Sequence, residues 1–453
     1  MSGGIPFGFG TGGDEPFDPS SFDPSSMDLS QLGAALQQFG AMLSSGGGDD
    51  DGPVSWSTAE RVAREALVAE GDPSPDARDR QRVLDAVRLA DHWLDEHTAF
   101  PALVAEPEVW SRSEWIVNTL PVWKRIIEPV AASVSTAMGG MLPAEGMALP
   151  EGMPPEFASM MAPLLGVARR MGSMMFGLQV GQGLATLSSE VLGAGDVGIP
   201  LVVEGAHSHR CVLIPSNVRV FGEGLGVPDD DLWLYLAIRE SAQQRLFAGV
   251  PWLRARLIGA VEEYASGVHV DQSRIEEALR DVDPQNPEAL QEALASGVFE
   301  PTTTPEQEAA LARLETLLAL VEGWVDAVVA AAVGHRLTTA EALRETVRRR
   351  RAIGGPAEKT FATLVGLEMR PRRLRDAATL WEAASDRGVQ SRDSLWEHPD
   401  FLPTGDDLDD PAAFLARSDA SSGGMANFDN IGDIEAELGE DLDGDGTVGP
   451  VEP

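Results

Sequence analysis

The stretch LLALVEGWVDAVVAAAV, residues 317–333, constrains the fold more than any other part of the chain. It is apolar on nearly every side of a helix, so the helix must be surrounded by other elements. It falls short of the roughly 18 uninterrupted apolar residues of a membrane span, because Glu322 and Asp326 break it. These two carboxylates stand at i and i+4, one above the other on one face. A buried carboxylate without a partner costs several kcal/mol, so whatever packs around this helix must bring cations to that face.

Other helix signals agree with a mainly α fold. Ser57 with Glu60, and Ser111 with Glu114, read as capping boxes. Thr304, Pro305 and Gln307 start the long apolar run, and Thr338 with Glu341 starts the next helix. Residues 77–97 have helical periodicity, and the Met-rich stretch 153–193 reads as one or two core helices. Its methionines are expected to fill the core, and Gly177, Gly181, Gly183 and Ala185 to admit a close neighbour. Strand signals are confined to IPLVVEG (199–205) and RCVLIPSNVRVF (210–221), expected to pair as a small β-hairpin.

Composition divides the chain in three. Residues 1–54 are rich in Gly, Ser, Pro and Asp and cannot bury enough apolar surface to offset chain entropy, so they read as a disordered tail. One amphipathic piece within them, MDLSQLGAALQQFGAML (27–43), reads as a transient or docking helix. Residues 55–403 form the expected folded domain, and 404–453 an acidic tail. The whole chain carries 34 basic and 72 acidic residues, a net charge of −38. A field of that sign works against nucleic acid and anionic membrane surfaces as partners. A single cysteine, Cys211, excludes an internal disulfide and a Cys-based zinc site. The N-terminus lacks the basic and apolar regions of a signal peptide, so a cytoplasmic protein is expected.

The stretch LYLAIRESAQQRLFAGVPWL (234–253) holds the candidate chemistry. A zinc peptidase helix presents His-Glu-x-x-His, with two imidazoles one turn apart and a glutamate general base beside the metal-bound water. Here the register reads Arg239-Glu240-Ser241-Ala242-Gln243. Arginine has no lone pair for a metal, and glutamine offers only a weak carbonyl oxygen. On a helical projection Arg239 and Gln243 lie within the stripe of Leu232, Leu236, Leu246 and Val250, where both need buried partners. The expected arrangement is that the Arg239 guanidinium takes the place of the ion and pairs with Glu322. The alternative is that Glu322 and Asp326 find caps or salt bridges elsewhere.

Together with SEWIVNTLPVWKRIIEPV (113–130), the blocks FGEGLGVPDDDLWLYLAIRESAQQRLFAGVPWLR (221–254), LLALVEGWVDAVV (317–329) and RRRRAIGGPAEKTFATLVGLEMRPRRLRDAATLW (348–381) carry a resemblance. In order and content they resemble the actinobacterial family of zinc-dependent metallopeptidases with a zincin-like fold, over most of 55–403. The resemblance implies a helical zincin-like domain, a zinc cofactor, ligands at the positions of Arg239, Gln243 and Glu322, and a general base at Glu240. The chain departs from the pattern at both histidines, so zinc is not expected. The leading expectation is a degenerate peptidase that binds a protein or peptide partner or regulates one. The alternative is a working hydrolase with Glu240 as base and a non-standard metal site.

Other features are weighed against plainer readings. His207 and His209 in EGAHSHRC read as a metal pair or as ordinary surface or core histidines. The C-terminal DLDGDGTVGPVE matches a calcium-binding EF-hand loop through Asp441, Asp443, Asp445 and Glu452; a solvated acidic tail is the alternative. Arginines crowd 344–375, as a dock for an acidic partner or the protein's own tails, or as an exposed face with i, i+4 pairs. FGEGLG (221–226) precedes Asp229, Asp230 and Asp231, whose charge disfavours phosphate, so it reads as a turn.

Overall fold

The computed structural model describes residues 52–139, 155–202, 209–267, 304–352, 360, 362 and 373–425. They are mostly helical. The helices are α1 (Trp56–Glu70), α2 (Ala77–Leu94), α3 (Arg112–Gly139), α4 (Pro155–Glu190), α5 (Pro215–Gly222) and α6 (Asp229–Gly249). They continue as α7 (Pro251–Ser266), α8 (Pro305–Val333), α9 (Ala340–Ala352), α10 (Leu374–Ser385), α11 (Val389–Ser394) and α12 (Pro411–Met425).

The centre of the fold is α8, packed against α10, α7, α6 and α2. Its composition and length satisfy the test for a membrane span, yet 83% of its most apolar window is buried by the neighbours. Gly323 explains the closest of these contacts: a Cβ there would lie 2.7 Å from both the Ala377 Cβ and the Ala378 nitrogen of α10. Thr304 and Gln307 form the expected capping box at the N-terminus of α8, with Pro305 in the first turn. Ser111 and Glu114 do the same for α3 through bonds of 2.7 and 3.1 Å. The start of α1 differs, because Ser55 caps it through the Thr58 N–H and Ser57–Glu60 does not.

The Met-rich segment is one long helix, α4, lying along α1. Its glycines act as expected: a Cβ on Gly177 would meet the Ser55 carbonyl oxygen at 2.4 Å, and one on Gly181 the Ala59 carbonyl oxygen at 2.5 Å. Its methionines do not all fill the core. Met171 and Met175 face outward.

The expected hairpin is absent among the described residues. Val212–Leu213 (β2) pairs in parallel with Glu108–Val109 (β1), Glu108 opposite Val212 and Val109 opposite Leu213. Proline at position 215 starts a helix where the alternation suggested a strand, since its fixed φ suits a first helical turn. Ile199 and Leu201 are apolar because they are fully buried, and they stand in no strand. Packing also continues past residue 403: Phe414 and Leu415 of α12 are buried, and Arg387 donates to the Leu415 carbonyl at 2.6 Å.

Candidate functional site

Helix α6 is buried from Leu232 to Phe247 on all its faces, so its polar residues must be satisfied inside the protein. Asp229, Asp230 and Asp231 occupy its first turn, where negative charge suits the helix dipole. Residues 223–226 form the expected turn into the helix, with Gly224 and Gly226 at positive φ, while Phe221 and Gly222 close α5. Arg239 projects toward α8, and its guanidinium donates to the Glu322 Oε2. Both residues are buried, at 7% and 1% exposure. Burial opposes the charge on Arg239, but Glu322, with Tyr235, Asp326 and Asp196 nearby, more than compensates and holds it firmly protonated.

The other Glu322 oxygen lies 3.0 Å from the Arg351 guanidinium of α9. Arg351 also reaches Asp196, at 3.3 Å, in the loop after α4. Arg350 binds the same aspartate at 2.8 and 3.0 Å and donates to the Glu190 carbonyl at 2.7 Å. The Leu192 N–H donates to Asp196 at 2.9 Å. Burial pushes the Asp196 carboxyl up, but Arg350, Arg351 and that N–H outweigh it and hold the group below the usual range. Asp326 is served separately, by Arg344 at 2.5 and 2.9 Å and by Arg348 at 2.6 and 3.2 Å. These arginines likewise outweigh its burial. Arg344 extends the network to Glu382 at 2.6 Å.

Sequence reasoning missed most of this network. Arg344, Arg348, Arg350 and Arg351 do not form an exposed face with i, i+4 pairs; only Arg349–Glu345 does so, at 2.8 Å. The rest turn inward onto buried carboxylates. Leu343, Val347 and Arg351 are its visible signal, an i, i+4, i+8 stripe that is buried along α9.

Glu240 stands one residue round α6 from Arg239, against the loop 192–198. It accepts from the Gly195 N–H at 3.0 and 3.2 Å and from the Gln244 Nε2 at 3.0 Å. Burial dominates these two bonds and raises its pKa to about 8. The loop 192–198 presses directly on this surface. A Cβ at Gly193 would stand 2.8 Å from the Glu240 Oε2, and one at Gly195 would stand 2.7 Å from the Gln243 Oε1. The Gln243 Nε2 has no hydrogen-bond partner among the described residues. Cys211 lies near Glu240; burial, then that carboxyl, pushes its thiol well up, so it is not a reactive thiolate. A cavity of about 180 Å³ between Trp110, Pro215 and Arg219 includes none of these residues.

A sequence profile of zincin-like metallopeptidases matches residues 54–415. The chain belongs to the zincin-like metallopeptidase family. A crystal structure described as "a putative hydrolase with a novel fold", from Chloroflexus aurantiacus, has a TM-score of 0.55 to this zincin-like chain at 19% identity. The match covers 81% of this chain and 99% of that one, a likeness of fold. No curated protein matches the sequence.

The family implies zinc, and the residues in hand do not fit it. Arg239 offers no lone pair. Both Glu322 oxygens face guanidinium groups. The Gln243 Oε1 is packed against Gly195. Among the described residues no three His, Cys, Asp or Glu side chains gather as a metal set. His207 lies outside the described residues, and His209 stands at positive φ in a bend ahead of β2. The candidate calcium loop with Asp441, Asp443, Asp445 and Glu452 also lies outside them, as do Arg370 and Arg372.

Proposed function

We propose that this protein is a zincin-like family member in which an ion-pair network stands where a peptidase holds its metal, and that it acts by binding a protein or peptide partner, not by hydrolysis. The observation that carries the reading is the position of Glu322, gripped by Arg239 on one oxygen and faced by Arg351 on the other. The Oε1 accepts no hydrogen bond among the described residues, but a guanidinium already stands 3.0 Å from it, so a second cation would meet like charge there. The state of Glu240 supports the same reading. With a pKa of about 8 it is largely protonated at neutral pH, and a protonated carboxyl is no general base. The loop residues Gly193 and Gly195 lie against it where a water and substrate would need room.

Elemental mass spectrometry tests this on the full chain, exposed to zinc and calcium and then desalted, alongside cleavage of a fluorogenic peptide library. The expected result is far less than one zinc per chain and no cleavage above the buffer rate. Near-stoichiometric zinc with cleavage abolished by Glu240→Gln overturns the proposal in favour of a working hydrolase.

A further inference from the structure

One face of α4 is left uncovered. Met171 and Met175 are 55% and 58% exposed and Leu178 is 37% exposed. They stand at i, i+4 and i+7, so they form one stripe down the helix. The opposite side of α4 is occupied, with Gly177 and Gly181 set against α1. The first described residues lie at this place. The Ser55 N–H donates to the Ser173 carbonyl at 2.9 Å, so residues 52–54 stand within a turn of the stripe.

Only residues 44–51, SSGGGDDD, separate that point from the amphipathic segment 27–43, which lies outside the described residues. Within the segment Leu29, Leu32, Leu36, Phe39 and Leu43 recur at alternating steps of three and four, the spacing of a single helical seam. Gln31, Gln37 and Gln38 fall away from it. Gly33 and Gly40 lower its intrinsic helix propensity, so such a helix needs an apolar surface to form on. Eight residues of Gly/Ser-rich composition correspond to a typical span of about 16 Å. The stripe from Met171 to Leu178 is about 10 Å long at the helical rise. Reach is therefore no obstacle, and tethering keeps the local concentration in about the millimolar range. Charge agrees: the run Asp49, Asp50 and Asp51 is opposite in sign to Arg169 and Arg170, which are exposed at the N-terminal end of the stripe.

We infer that residues 27–43 dock in cis as an amphipathic helix on the Met171–Met175–Leu178 face of α4.

Hydrogen–deuterium exchange on the full chain tests the inference. Amides of 29–43 are expected to exchange at least about tenfold more slowly than those of a synthetic peptide of the same residues. Met171→Asp with Met175→Asp returns them to the peptide rate while α1 and α8 keep theirs. Leu32→Asp with Leu36→Asp does the same from the segment side and leaves α4 untouched, so the test survives if the first variant fails to fold. Peptide-like rates in the unmodified chain overturn the inference. So does protection that persists in the α4 variant. Protection that vanishes on dilution assigns the face to a second copy and also overturns docking in cis.

Discussion

Glu322 and Arg239 make unequal demands on the network around them. Removing the carboxylate strands Arg239 in a buried position and leaves Arg351 with Asp196, its other acidic partner among the described residues. Removing Arg239 leaves Glu322 beside Arg351. Glu322→Ala is therefore expected to cost about 3–5 kcal/mol, the range for breaking a buried pair from one side. Arg239→Met is expected to cost less than half as much, and paired urea unfolding curves measure both. Glu240 supplies a second test, through pH. Its folded-state carboxyl keeps its proton to about pH 8. An unfolded glutamate loses it near about pH 4.3. Between those values the folded chain binds the extra proton, so this group's contribution is complete below the unfolded pKa and is lost as pH rises toward 8. From pH 5.5 to 8 the loss is on the order of 3 kcal/mol. Asp196 and Asp326 are shifted the opposite way and act only at lower pH, outside this window. Glu240→Gln should flatten the stability profile across it, and an unchanged slope in the variant would assign the proton elsewhere.

At the scale of elements, close helix contact rests on glycine. A Cβ at Gly323 meets both a Cβ and a backbone nitrogen of α10, and neither can move as a side-chain tip can. Gly323→Val is expected to destabilise by about 1–3 kcal/mol by forcing α8 and α10 apart. Gly259→Ala on α7 meets nothing within 4 Å and should be neutral or mildly stabilising; thermal melts of the two variants compare them. What could be read from sequence follows the range of the signal. Thr304–Gln307 and Ser111–Glu114 are local, and both caps form where they are expected. The Arg239–Glu322 pair is legible because each residue is a polar group in an apolar helix and each needs the other. Asp196 is not, because its arginine partners lie about 150 positions away and it sits in a loop with no periodicity. The residues 215–221 mislead for a related reason. Their alternation fits both a strand and a short helix, and Pro215 decides for the helix.

Across the whole molecule, four separate pieces of chain meet at one charged cluster: α6, α8, the loop 192–198 and α9. Five guanidiniums, from Arg239, Arg344, Arg348, Arg350 and Arg351, face the buried carboxylates of Asp196, Glu322 and Asp326. Such an arrangement ties the pieces into one geometry through ion pairs. If it stands on a zincin-like scaffold, restoring ligand chemistry on α6 should restore metal affinity. Arg239→His with Gln243→His places two imidazoles one turn apart on the side of α6 that faces Glu322, and frees one Glu322 oxygen. The double variant is expected to bind close to one zinc per chain. Its thermal stability should rise with added zinc, by about 2.7 kcal/mol when zinc reaches a hundredfold excess over its dissociation constant. The unmodified chain should show neither response. Adding Arg351→Leu frees the second oxygen and should tighten zinc further in the double-His background. If neither His variant takes up zinc while both remain folded by circular dichroism, Glu322 is not the missing third ligand, and the ion-pair cluster is a structural tie unrelated to any metal position.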